Sequence, residues 1–532
     1  GTAAPPPLAT GRARARCPAH GARPRPRALG DGLRGGGMAW RFSAFGARAW
    51  TRQGLRVPVG ALAAGAAGVG GFAVQSLPVK ADTGDDASNL KPHHLATWHD
   101  GRSGLVPERR VNQVQSPIAI ELPDMNFLNP DELVRGHIIL NDSKAASRDV
   151  ALKKGCVRAN ACKDIYWEPS EVRAAIVTCG GLCPGLNSII REVTNCLWHQ
   201  YGVRSIVGIQ GGYNGLSNPE NFPPISLDPN FVREIHMKGG SILKAGRGGF
   251  DAKKICDNLE DMGINMVFTV GGDGTQGAAF LLYEEAKRRG QQLSVVGVPK
   301  SIDNDILVFE KTFGFESAVA AASEVIRNGW VEATSAKKGV GIVKLMGRDA
   351  GFVAMDAALA STIVDLVLIP EVNVKLEDIL DHVDQVLSRK NFMVIAVAEG
   401  AGQEHVSTGK KDSTGHTIYG DIGVFLRDKV NEHLKPQGGR SFYIDPSYII
   451  RSVPIRPNDH IYCARLSRDA VHTAMRGYTG VCVGPIHNVI VVMPSNLIAR
   501  GKRKVKIHSS GWQSCCQVCN MPAELTGLQD TK

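Results

Sequence analysis

Two acidic loops hold the residue types best suited to chemistry, and each follows an apolar strand pattern. The first is Gly271-Gly272-Asp273-Gly274-Thr275, after the run 265–270; the second is Pro299-Lys300-Ser301-Ile302-Asp303-Asn304-Asp305, after the run 293–298. In an open parallel sheet, ligands bind beyond the carboxyl ends of the strands, where both loops fall. Asp273 offers a hard oxygen donor suited to Mg2+, an ion that keeps several waters and bridges substrate phosphates. Asp303 is a carboxylate able to take a proton from an attacking hydroxyl, with Asp305 and Asn304 placed to orient it and the metal's waters. A metal-bound phosphate beside a base points to phosphoryl transfer from a nucleotide. A plain glycine turn with an Asp cap is the structural alternative for the first loop, and Thr275 is expected to cap a helix beginning at Gln276. A solvated turn explains the second loop poorly, because Lys300 and the further polar side chains crowd the end of an apolar strand.

Three more segments stand where an acceptor could be held. Met346-Gly347-Arg348 follows the apolar run 340–345, Glu399-Gly400 follows 392–398, and Tyr448-Ile449-Ile450-Arg451 supplies an aromatic hydroxyl and a guanidinium. A guanidinium can grip a phosphate or a sugar oxygen through paired hydrogen bonds. Taken singly, each is more often a surface salt bridge; their joint occurrence gives them weight. Upstream, Cys179-Gly180-Gly181-Leu182-Cys183-Pro184-Gly185 links the strand pattern 172–178 to a helix opening near Asn187, with Ile189, Ile190, Val193 and Leu197 on one face. Small residues at a helix N-terminus let an anion approach free backbone N–H groups, although such turns also arise for steric reasons alone.

To position these loops the chain must alternate strands and helices. Strand, glycine loop and helix recur at 267–289, and short apolar strands recur at 293–298, 340–345 and 392–398. That alternation predicts α/β layers with a mostly parallel sheet.

The motifs CGGLCPGLN (179–187), GGDGT, PKSIDND, KTFGFE (311–316), MGR, AEG and YIIR, in that order, resemble the 6-phosphofructokinase family across about residues 166–485. The resemblance is nearest to its ATP-dependent plant, algal and trypanosomatid branch. It implies two doubly wound, Rossmann-like subdomains with mostly parallel sheets and the active site between them. It also implies transfer of the ATP γ-phosphoryl group to the 1-hydroxyl of fructose 6-phosphate, with Mg2+, allosteric control and a homotetramer. By motif, Asp303 is the proton acceptor and Asp273 the magnesium ligand. Gly181, Arg247, Gly248, Gly272, Asp273, Gly274 and Thr275 line the nucleotide. Ser301, Ile302, Asp303, Met346, Gly347, Arg348, Glu399, Tyr448, Ile449, Ile450 and Arg451 surround the sugar phosphate. Gly274 and Lys300 set donor choice: glycine favours ATP, whereas lysine is shared with pyrophosphate-using relatives. Two positions that are arginine in bacterial relatives fall at Gly339 and Phe442, with Lys337, Lys338 and Arg440 nearby. The readings weighed against this one are a pyrophosphate-dependent enzyme, a lipid or NAD kinase with a GGDG loop, and a non-catalytic regulatory homologue.

The net charge of +11 could suggest nucleic acid, but its location argues otherwise. Residues 1–80 hold twelve Lys and Arg against one acid, Asp31, while the fifty basic and fifty acidic residues beyond them cancel. A neutral body has no electrostatic footprint for nucleic acid. The Arg-, Ala-, Gly- and Pro-rich residues 1–80 read as leader and organellar targeting segment, plastid before mitochondrion, with Met38 a candidate start and the cytoplasm the alternative if the segment does not target. The uncharged run 57–79 is too poor in Leu, Ile and Phe for a membrane span to be expected. Residues 81–165 read as an N-terminal extension and 166–495 as the catalytic domain. Within the latter, 166–305 forms the nucleotide part, 306–450 the sugar-phosphate part and 451–495 returning helices. Residues 496–532 read as a basic, then Cys-rich tail with exposed cysteines. Twelve cysteines without framework spacing suggest free thiols in a reducing compartment.

Overall fold

The computed structural model describes Gly1 and residues 114–122, 125–128, 133–134, 156–407, 409 and 418–528. The chain divides into two compact units, Gly1–Ala73 and Val74–Lys532. The expected targeting segment beyond Gly1, the run 57–79 and most of the expected extension lie outside the described residues. Among those described, no helix is long and apolar enough to cross a membrane.

A nine-stranded sheet and a four-stranded sheet organise the molecule. The parallel core of the larger runs, in spatial order, Val481–Ile486, Ser294–Pro299, Met266–Gly271, Arg173–Thr178 and Ser205–Ile209. Every residue of Met266–Gly271 and Ser294–Pro299 is buried, as expected of parallel strands covered on both faces. One face carries the helices Leu186–Asn195 and Pro457–Met475, and the other carries Ala252–Asp261 and Asp273–Arg289. The smaller sheet is wholly parallel, in the order Leu366–Leu368, Phe392–Ala398, Gly339–Leu345, Arg440–Ile444. Its covering helices show the expected spacing. Leu376–Lys390 buries Ile379, Val383, Val386 and Leu387 one or two turns apart, with acids in its first turn and bases in its last, as the helix dipole favours.

Two expectations are corrected. Residues 451–495 are not all helical: after Pro457–Met475 comes an antiparallel hairpin, Val481–Ile486 with Val489–Pro494, inserted beside Ser294–Pro299. Its runs VCVGPI and VIVVMP are rich in β-branched residues, and both turn residues, His487 and Asn488, take the left-handed conformation that a two-residue hairpin loop requires. Nor is 496–532 an exposed tail over its described part. The helix Ser510–Val518 buries Trp512, Cys515 and Cys516 in the core of the smaller sheet, and Cys519 is buried beyond it. The Trp512 indole donates to the Thr526 carbonyl at 2.9 Å, so a polar group that burial would strand is satisfied by the chain's own return. All eleven described cysteines are free.

Candidate active site

Strand register puts the predicted residues at matching heights. Gly271 pairs with Pro299, so both acidic loops leave the larger sheet at one level. Leu345 pairs with Ala398, so Met346–Arg348 and Glu399 leave the smaller sheet at one level. These two lower loops must also touch, and glycines permit it. A Cβ on Gly400 would lie 1.9 Å from the Arg348 carbonyl oxygen, and Gly347 has φ +133°, a conformation other residues rarely adopt. The ends of the two sheets enclose a cleft of about 560 Å³.

One wall is formed by Gly181, Arg247, Gly248 and Gly272–Thr275. The Gly180 N–H donates to the Gly246 carbonyl at 2.8 Å, and this contact brings Arg247 beside Gly181. Thr275 does not cap a helix starting at Gln276. The helix Asp273–Arg289 begins earlier, with Gly272 at its N-cap, which places the Asp273 carboxylate in the first turn, where the dipole favours a negative charge. The Tyr213 hydroxyl donates to the Thr275 carbonyl at 2.9 Å and braces that turn. Lys300 is only 7% exposed, with its ammonium 3.7 Å from where a Cβ on Gly180 would stand, and it has no ion-pair partner among the described residues. A buried cation at a glycine loop is a ready counter-charge for phosphate. Among the described residues no three acids, His or Cys gather into a cage. The Asp273 carboxylate faces the open cleft, a hard oxygen donor that would suit Mg2+ if water and phosphate filled its other positions.

Asp303 lies on the cleft floor, and its Oδ1 is buried without a hydrogen-bond partner. Burial, then the neighbouring Asp305 and Glu399, push its carboxyl up to about 7, against the opposing pull of the Arg348 backbone N–H and Lys502. Its loop is held from below: Asn304, at φ +57°, accepts from the Thr312 N–H at 3.0 Å, and the Thr312 hydroxyl donates to the Ser301 carbonyl at 2.6 Å. Glu399 is also raised by burial, with Arg348 and Arg451 opposing.

The opposite wall brings together Ser301, Ile302, Met346, Arg348, Glu399 and Arg451. The YIIR motif divides. Arg451 reaches the cleft and stacks on the Tyr448 ring at 5.2 Å, whereas Tyr448 and Ile449 are 82% and 64% exposed and Ile450 is buried in the core. A short helix, Ser447–Ser452, points successive side chains in different directions, so one motif cannot line one pocket. Gly339 starts its strand and Phe442 lies midway along Arg440–Ile444, paired with Gly341, so both stand down the sheet from these loops. A Cβ on Gly339 would meet the Ala333 carbonyl oxygen at 2.2 Å, and Arg440 stacks on Phe442 at 4.7 Å.

Asp349, Tyr419 and Lys502 are among the cleft residues that escaped the sequence reading. Asp349 directly follows MGR, and its adjacency was the available signal. Tyr419 sits under the Arg348 guanidinium at 5.0 Å and donates to Asp349 at 3.4 Å. Lys502 enters from the supposed tail, 2.6 Å from Asp349 and 3.3 Å from Asp305. Nothing distinguishes it in sequence from the basic residues around it.

Residues 173–474 match the family described as Phosphofructokinase. The chain belongs to the phosphofructokinase family. Similar proteins include the chloroplastic ATP-dependent 6-phosphofructokinase 4 of Arabidopsis thaliana, 40% identical over 427 residues, 78% of this chain and 79% of that protein. The ATP-dependent 6-phosphofructokinase of Borreliella burgdorferi is 40% identical over 75% of this chain and 92% of its own length. That of Trypanosoma brucei brucei is 42% identical over 68% and 76%. Among solved structures, the pyrophosphate-dependent phosphofructokinase of Marinobacter aquaeolei superimposes with a TM-score of 0.56 at 19% identity, covering 66% of this chain and 91% of that one, a likeness of fold.

A base works only when deprotonated, so in the role the sequence predicts, Asp303, raised to about 7, would lose its active form as pH falls through that value. The kcat/KM of the free enzyme should therefore show an acid limb near pH 7. Glu399→Gln, which removes a neighbouring negative charge, should move that limb to lower pH; a limb left in place contradicts the assignment.

Proposed function

We propose that this chain is an ATP-dependent 6-phosphofructokinase, moving the γ-phosphoryl group of ATP to the 1-hydroxyl of fructose 6-phosphate. The observation that carries the reading is Asp303: a carboxylate with an unpartnered buried oxygen, standing between the Gly272–Thr275 turn and the Arg348, Glu399 and Arg451 group. The names of relatives about 40% identical support the same activity.

In this reading Asp303 accepts the hydroxyl proton as the sugar oxygen approaches phosphorus. Arg348 and Arg451 hold the acceptor by its oxygens, and Glu399 accepts from a sugar hydroxyl. Lys300, Arg247 and the backbone N–H groups of the two glycine loops balance the donor's charge, so catalysis rests on positioning and electrostatics. Mg2+ held at Asp273 would neutralise charge on the donor phosphates. Asp303→Asn should lower kcat by roughly 10²–10⁴-fold with ATP affinity kept, the usual worth of a general base. Near-normal turnover in that variant would sink the role.

Donor choice follows from Gly274. A Cβ there meets nothing within 4 Å, so the space beside the metal-binding carboxylate is open and can take an α-phosphate and nucleoside. Lys300 is the one feature that favours pyrophosphate, and the open space at Gly274 outweighs it. Gly274→Asp should fold normally, because nothing obstructs the new side chain, yet lose ATP use sharply by repelling the α-phosphate. Wild-type protein that turns over with pyrophosphate and ignores ATP would refute this donor assignment.

The basic leader supports import into an organelle, and the chloroplastic relatives favour the plastid. A reporter fused to residues 38–80 should be imported; a cytosolic reporter would overturn the claim.

A further inference from the structure

The segment after the hairpin crosses the floor of the cleft and is tied to both of its lips. On the side of the larger sheet, Lys502 bridges to Ile306 as an isolated antiparallel pair, and the Arg503 N–H donates to the Asp305 carbonyl at 2.8 Å. The Arg503 guanidinium donates to the carbonyls of Phe309, at 2.9 Å, and Glu310. On the side of the smaller sheet, that guanidinium lies 4.4 Å over the Phe352 ring. The Val505 N–H donates at 2.7 Å to Glu371, whose carboxylate also receives the Gly351 N–H at 3.1 Å. The buried helix Ser510–Val518 then anchors the strap.

At the centre of this strap the Lys502 ammonium stands between two carboxylates from opposite lips. Asp305 is two residues from the base Asp303, and Asp349 is next to Arg348. Asp305 is further fixed by the Ser301 hydroxyl, and Asp349 by Tyr419. Burial alone would raise Asp349, yet the Lys502 ammonium holds it below the usual carboxylate range. Without a cation between them, the buried Asp305 and the partly buried Asp349 carboxylates would repel each other and push the lips apart.

We propose that Lys502 is a positioning residue for phosphoryl transfer, an ionic clasp that keeps the base loop and the Arg348 loop in register across the cleft. The C-terminal segment is then part of the catalytic apparatus, although neither Lys502 nor the strap accepts the proton or holds the donor. The inference rests on the functional reading above, because it presumes that Asp303 and Arg348 act on one acceptor.

The test is steady-state kinetics with fructose 6-phosphate and MgATP. Lys502→Met should lower kcat about 10–100-fold, the scale expected of an ångström-sized misplacement of reacting groups, with KM for ATP within about threefold of wild type. Lys502→Arg should restore most of the loss. Asp349→Asn should reproduce the kcat defect, and the Lys502→Met/Asp349→Asn double variant should be no worse than the poorer single one, as for two members of one contact. Lys504→Met, which alters an exposed neighbour, should match wild type. If Lys502→Met does not fold, Lys502→Arg and Asp349→Asn carry the comparison. A Lys502→Met enzyme within twofold of wild-type kcat overturns the clasp, as does a defect that Arg does not rescue and that adds fully to Asp349→Asn. Wild-type protein inert with both ATP and pyrophosphate would instead overturn the functional reading beneath it.

Discussion

Ionising a carboxylate away from water is costly, and the cleft of this protein is arranged around that cost at Asp303. Burial and two nearby acids raise the group, while a backbone N–H and a lysine partly oppose them, and the balance leaves it near neutrality. In the proposed role, a carboxyl so balanced is a stronger base than a fully solvated aspartate and is still partly deprotonated at physiological pH. The balance depends on distances from Asp303 to Asp305, Glu399, Arg348 and Lys502. Those residues come from four separate stretches of chain, so the rest of the fold acts to keep those distances constant.

Parallel pairing supplies most of that constancy. The pairing of Met266–Gly271 with Ser294–Pro299, Gly271 beside Pro299, fixes the common height of Asp273 and Asp303. The smaller sheet does the same for Arg348 and Glu399 through Leu345 and Ala398. Lys300 illustrates the electrostatic counterpart. Burying a cation with no ion-pair partner among the described residues is unfavourable, and in the proposed function a donor phosphate would relieve it.

The C-terminal segment shows how composition can mislead. Read as a string, residues 496–532 are basic and then cysteine-rich, without a periodicity that stands out. In the structure Trp512, Cys515 and Cys516 lie in the core of the smaller sheet, and the basic residues before them divide between solvent and the cleft floor. Small hydrophobes such as cysteine carry a weak periodic signal, and a nine-residue helix is too short to amplify it.

The amino-acid sequence by itself determined the alternation of strands and helices, the loops that bear Asp273 and Asp303, and the family, because these depend on short runs and local spacing. It also placed the second group of loops, since MGR and AEG each end an apolar strand. What only the tertiary structure decided are the contacts between segments far apart in the chain. Arg451 reaches the cleft while its neighbours Tyr448, Ile449 and Ile450 do not, the hairpin 481–494 inserts into the larger sheet, and Lys502 arrives between Asp305 and Asp349. The physical reason is that a side chain's direction within a short helix, and a lysine's partner some two hundred residues away, are set by packing against other elements. Local propensity carries no information about that packing.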